Sequence, residues 1–294
     1  MRGYCVLLIV FLVGCDNTSK EGVDKMQNGL TIIDVNLGGA VVDLISSSPL
    51  KFSTDCLAAV SMCWYEIRRG GKDQPLMNIS VSWPEGTSLI KNAVGLNVLS
   101  DETQTKNVEN FRVTLRGLPD DSLHVENKGL VYELISELKA SGWKRYYYPS
   151  TPRFSGTELS KSGLTGSAFG NTSLSNPLFD ADYEMSLTEW LGTDGFYGWY
   201  MYSGDYISHV TAWRSSSLTD PALTGTYLIN VKFMSLDNFW RKEFAEAVRP
   251  QWKELFPAHL QQLRNKRLIS EARAKAAGIS IDEDYLPPRM ERVN

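Results

Sequence analysis

The chain has 294 residues, a length that allows one large domain or two domains of ordinary size. Hydrophobic residues make up 43% and charged residues 22%, as in globular proteins, and 23 Gly with 12 Pro exclude collagen-like and wholly disordered chains. A general nucleic-acid binder carries a marked basic excess, so the net charge of −4 argues against that class and we expect no nucleic-acid partner.

The N-terminal residues predict export and a lipid anchor. An apolar run at residues 4–13 would form a helix of about 15 Å, half the thickness of a bilayer core, which is too short for a lasting membrane span. The run has the size of the apolar region of a signal peptide and ends at residues 12–15 in Leu-Val-Gly-Cys. This closely resembles the lipobox of bacterial lipoproteins, which implies cleavage directly before Cys15 and lipid on its sulfur. We therefore expect a signal peptide at 1–14 and a polar, lipidated tether at 15–29.

Asp16 follows the predicted lipid-bearing Cys15. In enteric-type bacteria, lipoproteins with Asp at this position stay in the inner membrane. The resemblance therefore implies attachment to the periplasmic face of the inner membrane. The outer membrane is the alternative, because this sorting rule differs between bacterial groups.

Residues 30–154 predict an N-terminal α+β lobe. Apolar and β-branched runs separated by turn residues indicate strands at 30–35, 62–68, 76–83 and 110–115, with 62–83 forming a hairpin. A helix is expected at 123–141, since Leu130, Leu134, Ile135 and Leu138 form an apolar stripe along it. The aromatic run at 143–148 predicts one more strand, which prolines then end.

Cys56 and Cys63 form an even pair in an exported chain, which favours a disulfide. Seven residues span about 23 Å in a strand and about 10.5 Å in a helix, whereas the Cα atoms of a disulfide lie within about 7 Å. The chain must therefore reverse between them, in a segment without Gly, Pro, Asn or Asp. The sequence leaves two alternatives open, a disulfide or two buried thiols.

The second half of the chain predicts a linker, a second lobe and a tail. Residues 155–177 are rich in Gly, Ser, Thr and Asn, which indicates a linker between lobes. The C-terminal α+β lobe then covers 178–281, with aromatic strands followed by helices that end in a long one, and polar residues 282–294 form a flexible tail. Because strands come as hairpins and helices come separately, the predicted fold class is α+β, with antiparallel hairpin-rich sheets.

The sequence offers no catalytic motif. The nearest match to a nucleophile elbow, at residues 166–170, has the wrong spacing, and no phosphate-binding or dinucleotide-binding loop occurs. His124, His209 and His259 lie far apart and not at the spacing of zinc ligands. We therefore expect no enzyme, no cofactor and no metal site. An enzyme acting on cell-wall glycan or lipid is the less favoured alternative.

An aromatic hairpin near residue 200 supplies the candidate partner-binding residues. Strand alternation places its rings on both faces, so one face belongs to the core and the other predicts a protein interface if it is exposed. The alternative is that both faces are buried. An acidic segment just before it forms either a rim for a basic partner or a solvated surface. The candidates are Trp199, Tyr200, Tyr202, Tyr206, Asp180 and Asp182.

Taken whole, the chain resembles envelope lipoproteins that act as immunity or accessory proteins for secreted antibacterial toxins, such as type VI secretion effectors. The resemblance rests on the lipobox at 12–15, an α+β body without catalytic motifs, and aromatic segments such as 142–147 with Pro152 and Arg153 after them. It implies a protein that binds and blocks an incoming effector at the membrane. A structural or assembly lipoprotein of the cell envelope is the alternative.

Overall fold

The computed structural model describes residues 31–70, 76–101, 103, 105–162, 169–170 and 172–292. The predicted signal peptide, the lipidation of Cys15 and the tether lie outside the described residues.

Among the described residues, eleven strands form one sheet. Its main path runs β1-β4-β5-β6-β11-β10-β9-β8, with β3 beside the second half of β5, β2 beside β3, and β7 beside β11. Only β1 and β4 pair in parallel among these strands, and the other pairs are antiparallel. The strands are β1 Thr31–Asn36, β2 Ser53–Leu57, β3 Met62–Arg68, β4 Met77–Trp83, β5 Gly86–Asp101, β6 Asn110–Leu115, β7 Ser122–Leu123, β8 Lys144–Arg145, β9 Phe196–Ser203, β10 Tyr206–Ser216 and β11 Thr224–Ser235.

Helices occupy both faces of the sheet, and the α+β prediction is confirmed. They are α1 Val41–Ser47, α2 His124–Ala140, α3 Gly156–Ser162, α4 Leu187–Leu191, α5 Leu236–Arg241 and the long C-terminal α6 Trp252–Ala276. Side-chain caps fix two of the starts. Ser186 and Glu189 form a reciprocal capping box on α4, and the Ser235 hydroxyl accepts a hydrogen bond from the Asn238 amide on α5.

The core face of the sheet packs against α2 and α4. On α2, the predicted stripe is correct: Leu134, Ile135 and Leu138 are buried, together with Val131. They meet apolar side chains that alternate along the central strands, such as Phe111 and Val231. We call the opposite face the open face, because α5 and α6 cover one end of it, near Tyr200, Tyr202, Ile207 and Met234, and leave the other end uncovered.

The sheet crosses the boundary that the sequence predicted between two lobes. Strand β6, from the first half of the chain, pairs with β11, from the second half. The antiparallel register places Asn110 opposite Met234 at one end and Thr114 opposite Asn230 at the other. The expected linker at 155–177 is partly helical, since α3 lies within it and Leu159 is buried. The segment is mostly polar, so its composition did not reveal that a few apolar side chains such as Leu159 attach it to the body.

The prediction of a flexible tail at 282–294 is wrong for residues 282–292, which are anchored to the body. The Tyr147 amide donates a hydrogen bond to the Tyr285 hydroxyl at 3.1 Å. Glu291 is 1% exposed, and its Oε1 accepts from the Tyr146 hydroxyl at 2.7 Å. Met290 packs on the same aromatic cluster, so a few anchors fix an otherwise polar segment.

Cys56 and Cys63 form a disulfide, which rejects the alternative of two buried thiols. They oppose each other directly across β2 and β3, with Cα atoms 4.1 Å apart. A single 3-10 turn at Ala58–Val60 reverses the chain, and Ser61 takes the left-handed conformation at φ 52°. The chain reverses here without Gly, Asn or Asp because Ser61 adopts the left-handed conformation that usually favours those residues.

Candidate binding face

The four aromatic candidates of the predicted interface do not form an exposed surface. Trp199 is fully buried on the core face, where it stacks with Trp190. On the other face, Tyr202 is 7% exposed and its hydroxyl donates to the Leu286 carbonyl. The alternative, that both faces are covered, is therefore closer to the structure for these rings. The reason is long-range: α2 and α4 cover one face, whereas α5 and the C-terminal segment cover the other.

Tyr200 and Tyr206 are half-buried and also engaged within the chain. The Tyr200 ring stacks on the His209 imidazole with centroids 3.8 Å apart. The Tyr206 hydroxyl donates to the Leu37 carbonyl at 3.2 Å. The four candidate aromatic residues therefore stabilise the fold and do not form one accessible patch.

The two acidic candidates differ in environment. Asp180 is 1% exposed, forms an ion pair with Arg145 Nη1 at 2.9 Å, and accepts hydrogen bonds from the Gly156 and Asp182 amides. Burial raises the pKa of Asp180, while the Arg145 charge opposes that rise. Asp182 is exposed and pairs with Lys139 at 2.5 Å, a surface ion pair of little energetic weight. The prediction of an acidic rim is therefore wrong for Asp180, which ties the loop to the body.

An apolar row lies on the open face, and it includes two aromatic residues of the predicted hairpin that were not among the named binding candidates. Trp213 on β10 is 58% exposed and lies directly opposite Leu228 on β11, which is 52% exposed. Phe196 on β9 lies opposite Trp213 on its other side, with ring centroids 5.0 Å apart. We call these three residues the apolar row. Leu218, in the β10–β11 connection, is also fully exposed.

A cationic row crosses the same face nearer to α5. Lys232 on β11 lies directly opposite Arg112 on β6, and residues that oppose each other on neighbouring strands share a face. Burial, together with the charges of Lys242 and Arg112, lowers the pKa of Lys232 to about 8. In the part of the chain that the structure describes, no acidic side chain forms an ion pair with Arg112, Lys232 or Lys242.

A polar strip separates the two rows. Thr211, Asn230 and Thr114 lie side by side on β10, β11 and β6, and the Thr114 hydroxyl donates to Asn230 Oδ1 at 2.8 Å. Lys232 lies four positions after Leu228 on β11, so the two rows are about 13 Å apart. The open face therefore presents apolar, polar and cationic side chains in parallel bands.

His209 lies at the end of the cationic row and is neutral at physiological pH. Burial and the charges of Lys232 and Arg112 lower its pKa to about 3. His209 Nε2 and the Ser173 hydroxyl both lie close to Gly198. If residue 198 carried a Cβ atom, that atom would lie 2.7 Å from Nε2 and 2.1 Å from the hydroxyl oxygen, so the two groups occupy space that only glycine leaves free. Among the described residues, Nε2 has no hydrogen-bond partner. Nε2 therefore makes no hydrogen bond to a described hydroxyl of the kind that pairs a general base with a nucleophile.

The alternation of apolar and other side chains along β11 is the sequence pattern from which this face could have been predicted. Tyr227, Ile229, Val231 and Phe233 are the core side, so the intervening Leu228, Asn230 and Lys232 point to the other side. Sequence reasoning followed the aromatic residues instead, and these are mostly core.

The described residues contain no helix that combines the length and apolarity needed to cross a membrane. Nor do they contain a group of three or more His, Cys, Asp or Glu placed to hold a metal ion. Comparison with protein-family models, curated proteins and solved structures found no match.

Proposed function

We propose that this chain is a lipoprotein, attached through Cys15 to the periplasmic face of the inner membrane, that binds a partner protein through its open face. The partner is a secreted antibacterial effector, which the protein neutralises as an immunity protein. The Leu-Val-Gly-Cys sequence at residues 12–15 supports the anchor. The exposure of the apolar row supports the binding function.

The single observation that carries the binding proposal is the exposure of Trp213 beside Leu228. Large apolar side chains that share an exposed patch are a feature of interaction sites, and Trp is among the residues that dominate binding energy. Here the two lie directly opposite each other on paired strands, so their positions are fixed by the sheet. A partner that covers them needs little reordering of this surface, which favours affinity.

A competition assay tests the proposal. Deletion of the gene should make cells sensitive to isogenic cells that deliver the effector, and the wild-type gene should restore survival. The double variant Trp213→Ala/Leu228→Ala should fail to restore it. Leu268→Ala/Ile269→Ala is the matched control, because it removes two comparably exposed side chains from α6 and should protect fully.

Two results would contradict the proposal. One is equal survival of deletion and wild-type cells under attack. The other is an envelope defect in deletion cells without any attacker, which would point to a structural lipoprotein. Both variants should be checked for wild-type abundance and unfolding temperature, so that a loss of protection reports binding.

A further inference from the structure

The cationic row is unusual because it costs stability and forms no ion pair with the acidic side chains that the structure describes. Like charges that lie directly opposite on neighbouring strands repel each other. Arg112 and Lys232 do so on β6 and β11, and no described acid neutralises either one. Lys232 is moreover half-buried, which adds a desolvation cost to its charge. A negatively charged group of a binding partner would neutralise both charges and offset this cost, which gives the row a reason to exist.

The geometry of the row fits carboxylates. Neighbouring strands lie about 4.8 Å apart, so the Arg112 guanidinium and the Lys232 ammonium present two cations within reach of one or two carboxylate groups. Arginine binds carboxylates with paired hydrogen bonds, and lysine adds a point charge. Lys242, just after α5, adds a third positive charge near Lys232.

The other bands of the face decide between kinds of anionic ligand. A free anion would use the cationic row alone and leave the apolar row uncovered. A lipid acyl chain would have to lie across the polar strip of Thr211, Asn230 and Thr114. An extended peptide segment matches all three bands, since its backbone can hydrogen-bond to the strip while its side chains reach both rows.

We propose that the open face binds an extended acidic segment of the partner protein, with its carboxylates on Arg112 and Lys232 and its apolar side chains on Trp213 and Leu228. This inference rests on the proposed function, because it names the chemistry of the same partner. The spacing of about 13 Å between the rows corresponds to four residues of an extended chain. The segment therefore carries its acidic and apolar residues four positions apart.

Charge reversal tests the inference separately from the function. In the competition assay, Arg112→Glu/Lys232→Glu should lower survival under attack at least tenfold. Lys266→Glu/Arg273→Glu is the matched control, because it reverses two exposed charges on α6 and should protect as the wild type does. If charge reversal on the sheet protects fully while Trp213→Ala/Leu228→Ala does not, the inference is wrong and the function stands. If both sheet variants protect fully, the function and the inference both fail.

A binding measurement with a defined probe adds an independent readout. Poly-L-glutamate should bind the purified soluble domain (residues 16–294, without the predicted signal peptide and the lipid-bearing Cys15) in 50 mM salt, and Arg112→Glu/Lys232→Glu should weaken that binding at least fivefold. Lys266→Glu/Arg273→Glu should change it less than twofold. An equal loss in the α6 control would overturn the assignment of the site. Stronger binding to phosphatidylglycerol vesicles than to poly-L-glutamate, abolished by the same sheet variant, would make the ligand a membrane and overturn it as well.

Discussion

Glu291 offers the sharpest stability test, because the structure buries its carboxyl group in the docked C-terminal segment. Burial raises the pKa of Glu291 to about 7, against the opposing effects of the Tyr146 hydroxyl, Arg267 and Arg264. A carboxyl group with a raised pKa binds its proton more tightly in the folded state than in the unfolded state. The stability it contributes is therefore present at low pH and is lost as the pH rises from about 4.5 to 7.

The variant Glu291→Gln removes this ionisation while keeping a carbonyl oxygen for the Tyr146 hydroxyl. The difference between a pKa of about 7 in the folded state and the ordinary value of 4.5 corresponds to about 3 kcal/mol. This is the largest increase in the free energy of unfolding that the variant can show. We expect Glu291→Gln to be more stable than the wild type by up to about 3 kcal/mol at pH 8 and to match it near pH 4.

Urea unfolding of the soluble domain at pH 4, 5.5, 7 and 8 measures this difference directly. Glu254→Gln is the control, because Glu254 is exposed on α6 and its replacement should leave the pH dependence unchanged. A Gln variant that is less stable than the wild type at pH 8 would refute the reasoning. It would show that Glu291 is ionised and held by Arg264 and Arg267.

Three further predictions concern the disulfide, the buried ion pair and the cationic row. Closing the short loop between Cys56 and Cys63 should stabilise the fold by about 2 to 3 kcal/mol, so Cys56→Ser/Cys63→Ser should lower the urea midpoint. A wild-type midpoint unchanged by a thiol reductant would contradict this. Asp180→Asn should lower the free energy of unfolding by about 1 to 3 kcal/mol, because the single acceptor oxygen of Asn cannot serve both backbone amides that the two oxygens of Asp180 hold, whereas Asp182→Asn should change little. Lys232→Met should stabilise the fold by up to about 3 kcal/mol at pH 7, because the folded state lowers the pKa of the ammonium from 10.5 to about 8 and so disfavours its charge. This gain should vanish above about pH 10.5, where Lys232 is neutral in both states. A loss of stability in Lys232→Met at pH 7 would show that the charge is stabilised within the fold.

Local patterns in the sequence were sufficient for several elements. The stripe on α2 predicted which side chains face the core. The aromatic hairpin predicted near residue 200 is present as β9 and β10, which a turn at Gly204 with φ 54° joins. Both depend on residues close together in the chain. The fold class followed from the same local evidence, because hairpins and separate helices already indicate an α+β protein.

Long-range pairing could not be read in the same way. The predicted hairpin of residues 62–83 is wrong: β3 and β4 do not pair with each other but both pair with the long strand β5. Strand β5 escaped prediction because its pairing register shifts between Ala93 and Gly95, which interrupts the alternation of apolar and polar residues.

The candidate site was missed for a related reason. Aromatic content pointed to the hairpin near residue 200, but whether Trp199 or Trp213 is exposed depends on where α2, α4 and α5 pack. Those contacts join segments far apart in the sequence. Composition therefore located the correct hairpin but not its exposed end.

Site-specific photo-crosslinking tests the central claim, that the open face holds the partner, most directly. A photoreactive phenylalanine analogue at position 213 replaces an exposed side chain of the apolar row, and the same analogue at position 268 on α6 is the control. In cells under attack, we expect position 213 to crosslink to the secreted effector and position 268 to give no such product. Crosslinking of the effector at 268 but not at 213 would contradict the account.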